Sequence, residues 1–128
     1  IVKKITHPDQ DVLNMLLADK LVYADIKYNT QFSLNYQLKE SFKNPVTNDT
    51  VFIHYIGPTK PWHDWAWDYP ISQAFMAAKN ASPWKDTALL KPVNSNQLRY
   101  SAKHMLKKKQ YIKGFGNYLL YFIKKLKH

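Results

Sequence analysis

Apolar and polar positions change period several times along the chain, and each change marks an element. Thr6 can cap a helix, Pro8 in the first turn sacrifices no needed donor, and Asp9 and Asp11 sit where the helix dipole is positive. Val12, Leu13, Leu16 and Leu17 follow at helical spacing, which predicts a helix over residues 8–19 with a buried apolar stripe. Leu21, Val22, Tyr23 and Ile26 make a short strand over 21–26, left through a loop at Tyr28, Asn29 and Thr30. Residues 31–49 are polar and aromatic with weak periodicity, and are expected to be loop with one helical turn.

Residues 49–55 form the clearest strand, rich in β-branched and aromatic side chains and stopped by Gly57-Pro58; its end delivers His54 to a loop. Pro70, Ile71, Ala74, Phe75 and Ala78 predict a helix over 70–81. Leu98, Ala102, Met105 and Leu106 predict another over 95–110. Gly114 and Gly116 are expected to separate it from a last segment, 117–127, with a stripe of Tyr118, Leu119, Phe122, Ile123 and Leu126. The pattern describes a helix-rich α+β chain with two or three short strands and amphipathic C-terminal helices, without internal repeats.

Composition narrows the class. With 128 residues, 45% hydrophobic and 15% aromatic, the chain can bury one ordinary core, and only 3 Gly exclude collagen-like and flexible low-complexity chains. Cysteine is absent, which removes disulfides, thiolate metal sites and thiol nucleophiles and suits a reducing compartment. No apolar run approaches the ~18 residues of a membrane span, no signal-peptide pattern opens the chain, and its start at Ile1 is expected of a processed chain or a fragment.

The distribution of charge divides the sequence at residue 86. Residues 1–86 carry nine Lys and nine acids, whereas 87–128 carry ten basic residues and no acid, so the whole net charge of +10 sits in the second part. An anionic partner is its natural counterpart. Lys107, Lys108, Lys109, Lys124 and Lys125 beside Tyr118 and Phe122 fit a helix lying on an anionic membrane surface. The same residues could clamp nucleic acid phosphates, which leaves a small basic nucleic-acid-binding module as the alternative, or could form a solvated helix face.

Two clusters carry candidate chemistry. At the first helix start, Asp9, Gln10 and Asn14 can hold a ligand's hydroxyl groups beside unpaired amide donors, or can serve as caps and solvated residues. Asp9 and Asp11 spell D-x-D, but residues two apart on a helix point about 200° apart, so they cannot close on one ion. After the best strand, His54-x-x-Gly57-x-x-Lys60-Pro61-Trp62 joins an imidazole, a glycine whose amide can approach a phosphate, and an ammonium, in a loop stiffened by prolines. A buried, hydrogen-bonded histidine and a solvated lysine is the plainer reading. Residues 62–69 interleave aromatic and polar groups, suited either to stacking on sugar rings or to core packing; His63, Asp64 and Asp68 are expected at the surface.

With those motifs assembled, the chain resembles the C-terminal part of the bacterial family 8 glycosyltransferases, specifically the lipopolysaccharide core glucosyl- and galactosyltransferases. The resemblance rests on Asp9-Gln10-Asp11-Val12-Leu13-Asn14, on Lys27-Tyr28-Asn29, and on the segment from His54 to His63, in matching order and spacing over essentially the whole chain. It implies a retaining transferase of GT-A fold, peripheral on the cytoplasmic side of the inner membrane, that uses UDP-glucose or UDP-galactose, a lipopolysaccharide core acceptor, and Mg or Mn. By the family pattern His54 would be a metal ligand, Gly57 and Lys60 would contact the donor diphosphate, Asp9 would hold donor-sugar hydroxyls, and Gln10 would lie near the anomeric carbon. The family's N-terminal half, with the strand-end D-x-D that supplies the other metal ligands, has no counterpart in this sequence. The implied organisation is the C-terminal portion of a catalytic domain over 1–86 and a membrane-docking tail over 87–128, inactive alone. A nucleic-acid module would explain the charge and leave H-x-x-G-x-x-K-P-W without a role.

Overall fold

The computed structural model of the chain describes residues 8–126. Thr6, the expected first cap, and Lys127, the expected last helical residue, lie outside the described residues. In order, the chain forms α1 (Pro8–Leu17), β1 (Thr30–Phe32), β2 (Ile53–Tyr55), α2 (Gln73–Asn80), α3 (Ser95–Lys107) and α4 (Tyr111–Leu126). Short 3-10 turns occupy Ala18–Lys20, Ile26–Asn29, Leu34–Leu38 and Pro70–Ser72. This is the expected helix-rich α+β class, with two short strands among the described residues.

β1 and β2 pair in parallel, with Thr30 opposite Ile53, Gln31 opposite His54 and Phe32 opposite Tyr55. Because side chains alternate along a strand, Ile53 and Tyr55 pack on the core while His54 is exposed on the other face. Phe32, Leu34, Trp65 and Ala66 form the buried centre, with Ile71 of the turn before α2 and Met105 of α3 packed against it. Phe32 meets the rings of Tyr36 and Phe42 edge-on, each at 5.9 Å between centroids.

Both strand expectations need correction. Residues 21–26 form no strand: Val22 is 97% exposed, and the Asp25 carboxylate accepts the Lys27 amide at 2.9 Å, turning the chain into the 3-10 turn that ends at Asn29. The strand expected over 49–55 keeps only its last three residues. The amides of Val51 and Phe52 both donate to the Lys27 carbonyl, at 2.9 and 3.2 Å, so they are strapped to that turn instead of a ladder. The last two residues of β1 and the turn Leu34–Leu38 lie inside the segment expected as loop with one helical turn, and Thr30 lies in the expected exit loop before it.

The stripe expected to be buried on α1 is also corrected. Val12, Leu13, Leu16 and Leu17 are all exposed, Leu16 by 72%. An amphipathic period reports a face that burial would favour; it does not supply the covering element, and none of the described residues buries this one.

The second half packs as sequence suggests, with one exception. Pro70 opens the turn before α2, and the buried Ser72 hydroxyl donates to the Ala66 carbonyl at 2.7 Å. The Asn94 side chain caps α3 by accepting the Gln97 amide at 2.9 Å, while Gln97 accepts the Val93 amide at 2.9 Å. Leu98 and Ala102 are buried. α3 ends where Lys109, at φ 61°, donates to the Leu106 carbonyl and Gln110 to that of Met105, both at 2.9 Å, a Schellman closure with lysine in the left-handed position. The break expected at Gly114 and Gly116 is absent, since α4 runs through both. Gly114 is buried where α4 crosses α3, and a Cβ there would come within 2.7 Å of the Leu106 side chain. This glycine permits close packing and breaks nothing.

Candidate functional site

The loop leaving β2 is built by four local interactions. Gly57 holds φ 80°, a left-handed conformation that side chains disfavour, and a Cβ there would stand 3.0 Å from the Ser33 hydroxyl oxygen. Two residues on, Thr59 is fully buried and its hydroxyl donates to Asn35 Oδ1 at 2.8 Å. The Lys60 amide then donates to His63 Nδ1 at 3.1 Å, and the His63 amide returns to the Lys60 carbonyl at 3.1 Å. His63 is buried, not at the surface as expected, and stacks on Trp65 with ring centroids 4.1 Å apart. Burial, and secondly the charge of Lys60, pull its pKa down to about 4, so the ring is neutral with Nδ1 as acceptor. The Lys60 ammonium donates to the Tyr55 carbonyl and lies 5.9 Å from the Trp62 ring centroid.

His54 stands at the base of this loop, exposed, with Nδ1 3.0 Å from Asn29 Oδ1. An amide oxygen only accepts, so Nδ1–H donates to Asn29, which leaves Nε2 as the ring atom through which a neutral imidazole would ligate a metal. Among the described residues no group of three or more His, Asp or Glu converges, at His54 or elsewhere. Asp64 and Asp68 do not add to it. Burial raises the Asp64 pKa against the opposing pull of Lys91, Lys113 and Lys108, and Asp68 pairs with Lys108. The structure thus gathers His54, Gly57 and Lys60 at one strand end. Asp9 and Gln10 are both exposed in the first turn of α1.

Behind the loop lies a buried network that the sequence motifs do not mark. His104 of α3 is fully buried, with Nε2 3.1 Å from Asn35 Oδ1 and Nδ1 2.8 Å from the Tyr69 hydroxyl. Nε2–H therefore donates to Asn35, and Nδ1 accepts from Tyr69. Burial and the charge of Lys108 pull the His104 pKa down to about 4, with Asp68 opposing, while burial and then Asp68 push that of Tyr69 up to about 12. Lys108, expected to dock on membrane, turns inward: its ammonium donates to the Trp65 carbonyl at 2.7 Å and to Asp68, 4.3 Å from the Tyr69 ring centroid. The available signal was a histidine beside Leu98, Ala102 and Met105 on a predicted apolar helix face, where an imidazole needs partners.

The aromatic run of residues 62–69 is split between core and surface. Trp65 is core, whereas Trp62, Phe75, Trp84 and Leu90 line an apolar groove of about 450 Å³.

α4 has two apolar faces. Gly114, Asn117, Tyr118 and Tyr121 are buried or half-buried, and Asn117 donates to the Ser101 hydroxyl of α3 at 2.8 Å. Ile112, Phe115, Leu119, Phe122, Ile123 and Leu126 are exposed, Ile112 by 91% and Leu126 by 87%. At ~100° of turn per residue those six share one sector roughly 100° wide. Tyr118, placed with the exposed stripe by its spacing, does not belong to it. Among the described residues no helix is long and apolar enough to cross a membrane.

A left-handed glycine, a lysine and an exposed imidazole at the end of a strand are groups able to contact a phosphate, set here on a small α+β core followed by a basic helix pair. The chain belongs to glycosyl transferase family 8: residues 1–66 match the family model and residues 69–125 match that of the family's C-terminal region. It is 88% identical over all 128 residues to lipopolysaccharide glucosyltransferase WaaO of Escherichia coli K12, and 59% identical over 126 residues to lipopolysaccharide 1,3-galactosyltransferase of Salmonella typhimurium LT2. A lipopolysaccharide 1,2-glucosyltransferase of Escherichia coli is 34% identical over 129 aligned positions. The chain spans 37–38% of the length of these relatives. No solved structure matches it.

Proposed function

We propose that this chain is the C-terminal part of a retaining glycosyltransferase of GT-A fold that moves a hexose from UDP-glucose or UDP-galactose to a lipopolysaccharide core acceptor. The observation that carries the reading is the 88% identity, unbroken over the whole chain, to a lipopolysaccharide glucosyltransferase. The loop chemistry supports it. Departure of UDP develops negative charge on the diphosphate, and the Gly57 amide and Lys60 ammonium, in a loop pinned at Thr59 and His63, offset that charge without reorganising. His54 Nε2 would give one ligand to Mg or Mn, with the remaining ligands from outside this chain; when bound, such an ion supplies Lewis-acid neutralisation of the leaving group. Asp9 would hold hydroxyls of the donor sugar and Gln10 would stabilise charge near the anomeric carbon, roles that follow from the family pattern.

Residues 1–86 are then the C-terminal portion of the catalytic domain, and 87–128 a tail that docks peripherally on the anionic cytoplasmic face of the inner membrane. The exposed apolar face of α4 and ten basic residues without an acid support docking. The test is made in a full-length transferase carrying this sequence, supplied with Mn²⁺, UDP-glucose or UDP-galactose, and core acceptor. Lys60→Ala is expected to lower turnover about 10²-fold, and the 128-residue chain alone to give no transfer. Near-normal turnover by Lys60→Ala would overturn the assignment of the loop.

A further inference from the structure

Asn35 Oδ1 accepts two hydrogen bonds from elements far apart in sequence, the Thr59 hydroxyl at 2.8 Å and His104 Nε2–H at 3.1 Å. All three side chains are wholly or largely removed from water, and His104 and Thr59 have no exposed surface. Thr59 immediately precedes Lys60 and lies two residues after Gly57, which itself rests on Ser33. Thus residues 33–35 form the floor under the loop, touching it at Gly57 and at Thr59, and α3 hydrogen-bonds to that floor through the His104 imidazole.

We infer that His104 is a positioning residue for the donor loop: acting through Asn35 on Thr59, it makes the seating of the C-terminal helix pair set where the Gly57 amide and the Lys60 ammonium stand. This rests on the reading of residues 57–60 as the diphosphate loop. Three features make the link directional. The His104 tautomer is fixed, because the Tyr69 hydroxyl fills Nδ1 at 2.8 Å and leaves Nε2–H to Asn35. Tyr69 is in turn covered by the Lys108 ammonium, which also holds the Trp65 carbonyl, so the ring cannot turn without disturbing the core. Asn35 Oδ1 with two donors has both lone pairs filled, so losing either donor leaves an unpaired buried lone pair and frees the amide to rotate. The same α3–α4 pair carries the exposed apolar face, so a docking surface and the donor loop share one hydrogen-bonded frame.

The test uses the full-length transferase carrying this sequence and reads two quantities: hydrogen exchange of the amides of residues 57–62 without ligand, and the Kd for UDP with Mn²⁺ by calorimetry. Thr59→Val and His104→Leu are each expected to speed exchange in the loop and to raise the UDP Kd about three- to tenfold, with acceptor KM unchanged. The double variant is expected to lose no more than the larger single one, because both act through Asn35. His104→Gln, whose amide N–H can stand near the Nε2 position, is expected to restore most of the loss. Loop exchange unchanged in both single variants, or losses that add and extend to acceptor KM, would overturn the relay. Lys60→Ala separates the two ideas: if it leaves UDP affinity intact, the donor-loop reading fails, and loop exchange alone then decides whether His104 positions the loop.

Discussion

Asn29 Oδ1 stands 3.0 Å from Nδ1 of His54, across the start of a two-stranded parallel sheet whose register places Gln31 opposite His54. The amide accepts from Nδ1–H and so orients an exposed ring that has no other described anchor. Second partners of this kind typically change metal affinity by about 10- to 100-fold. Asn29→Ala in the full-length transferase is therefore expected to shift the Mn²⁺ activation midpoint upward by that factor, with turnover at saturating Mn²⁺ much less affected. His54→Ala should do worse on both counts. An unchanged midpoint in Asn29→Ala would mean that the amide does not orient a ligand.

His63 and His104 make stability sensitive to acid. Both have folded-state pKa values of about 4 against 6.5 for a free imidazole, caused first by burial and then by Lys60 and Lys108 respectively. As pH falls below 6.5 the unfolded chain takes up protons that the folded chain refuses, so stability present above 6.5 is lost progressively down to about 4, where both states are protonated. Each histidine contributes at most ~1.4 kcal/mol per pH unit in that window. Asp64, whose pKa burial raises, acts in the opposite sense near the lower end. Urea unfolding of the chain at pH 7, 6, 5 and 4 should show the decline, and His104→Gln should lower stability at pH 7 while making the slope shallower. A slope unchanged in that variant would show that His104 is protonated alike in both states.

Lys109 occupies the left-handed position of the α3–α4 closure at φ 61°, where a non-glycine residue costs on the order of 1 kcal/mol. Lys109→Gly is expected to raise stability by about that amount, read as a higher urea midpoint with an unchanged m-value. The same substitution removes one exposed charge from the basic tail, so stability and attraction to anionic surfaces should move in opposite directions. A destabilised glycine variant would show that the Lys109 side chain makes a contact worth more than its backbone strain.

The placement of the loop residues was more legible than the placement of their supports. His54, Gly57 and Lys60 announce themselves because a strand signal, a glycine and two prolines fix their spacing, and the structure holds them at one strand end. Asn35, Thr59 and His104 were silent because their meaning is pairwise: each is ordinary in its own window, and only the fold brings residues 69 positions apart onto one oxygen. The helix starts at Pro70 and Ser95 were readable from local capping chemistry. The strand at residues 21–26 was misread because β-propensity reports a side chain's fitness for a half-buried pleat, and no described neighbour provides one for Val22 and Tyr23. The α1 stripe fails in the same way. A chain spanning 38% of its relative's length can carry faces whose covering elements it does not contain. Gly114 was misread in the other direction, as a breaker, because sequence does not show that Leu106 presses against it.

The two faces of α4 make the docking proposal sharper than spacing alone could. Phe115, Leu119 and Phe122 are exposed, whereas Tyr118 is half-buried with its ring stacked on Phe122 at 6.5 Å between centroids, and Lys108 is tied to Trp65 and Asp68. Each Lys near an anionic surface contributes about 1 kcal/mol that salt can screen, and the apolar face adds attraction that salt does not remove. Binding of the chain to vesicles containing anionic lipid should therefore weaken as salt rises and then level off. Phe115→Ser with Phe122→Ser is expected to abolish the level that persists at high salt. Lys124→Gln with Lys125→Gln should mainly reduce the salt-sensitive part. Lys108→Gln should lower folding stability while leaving vesicle binding per folded molecule nearly unchanged, since its ammonium is tied to Trp65 and Asp68. Equal loss from Lys108→Gln and Phe115→Ser would sink the assignment of the face. Duplex DNA binding that disappears steeply with salt, without any vesicle binding, would replace docking with phosphate contact alone.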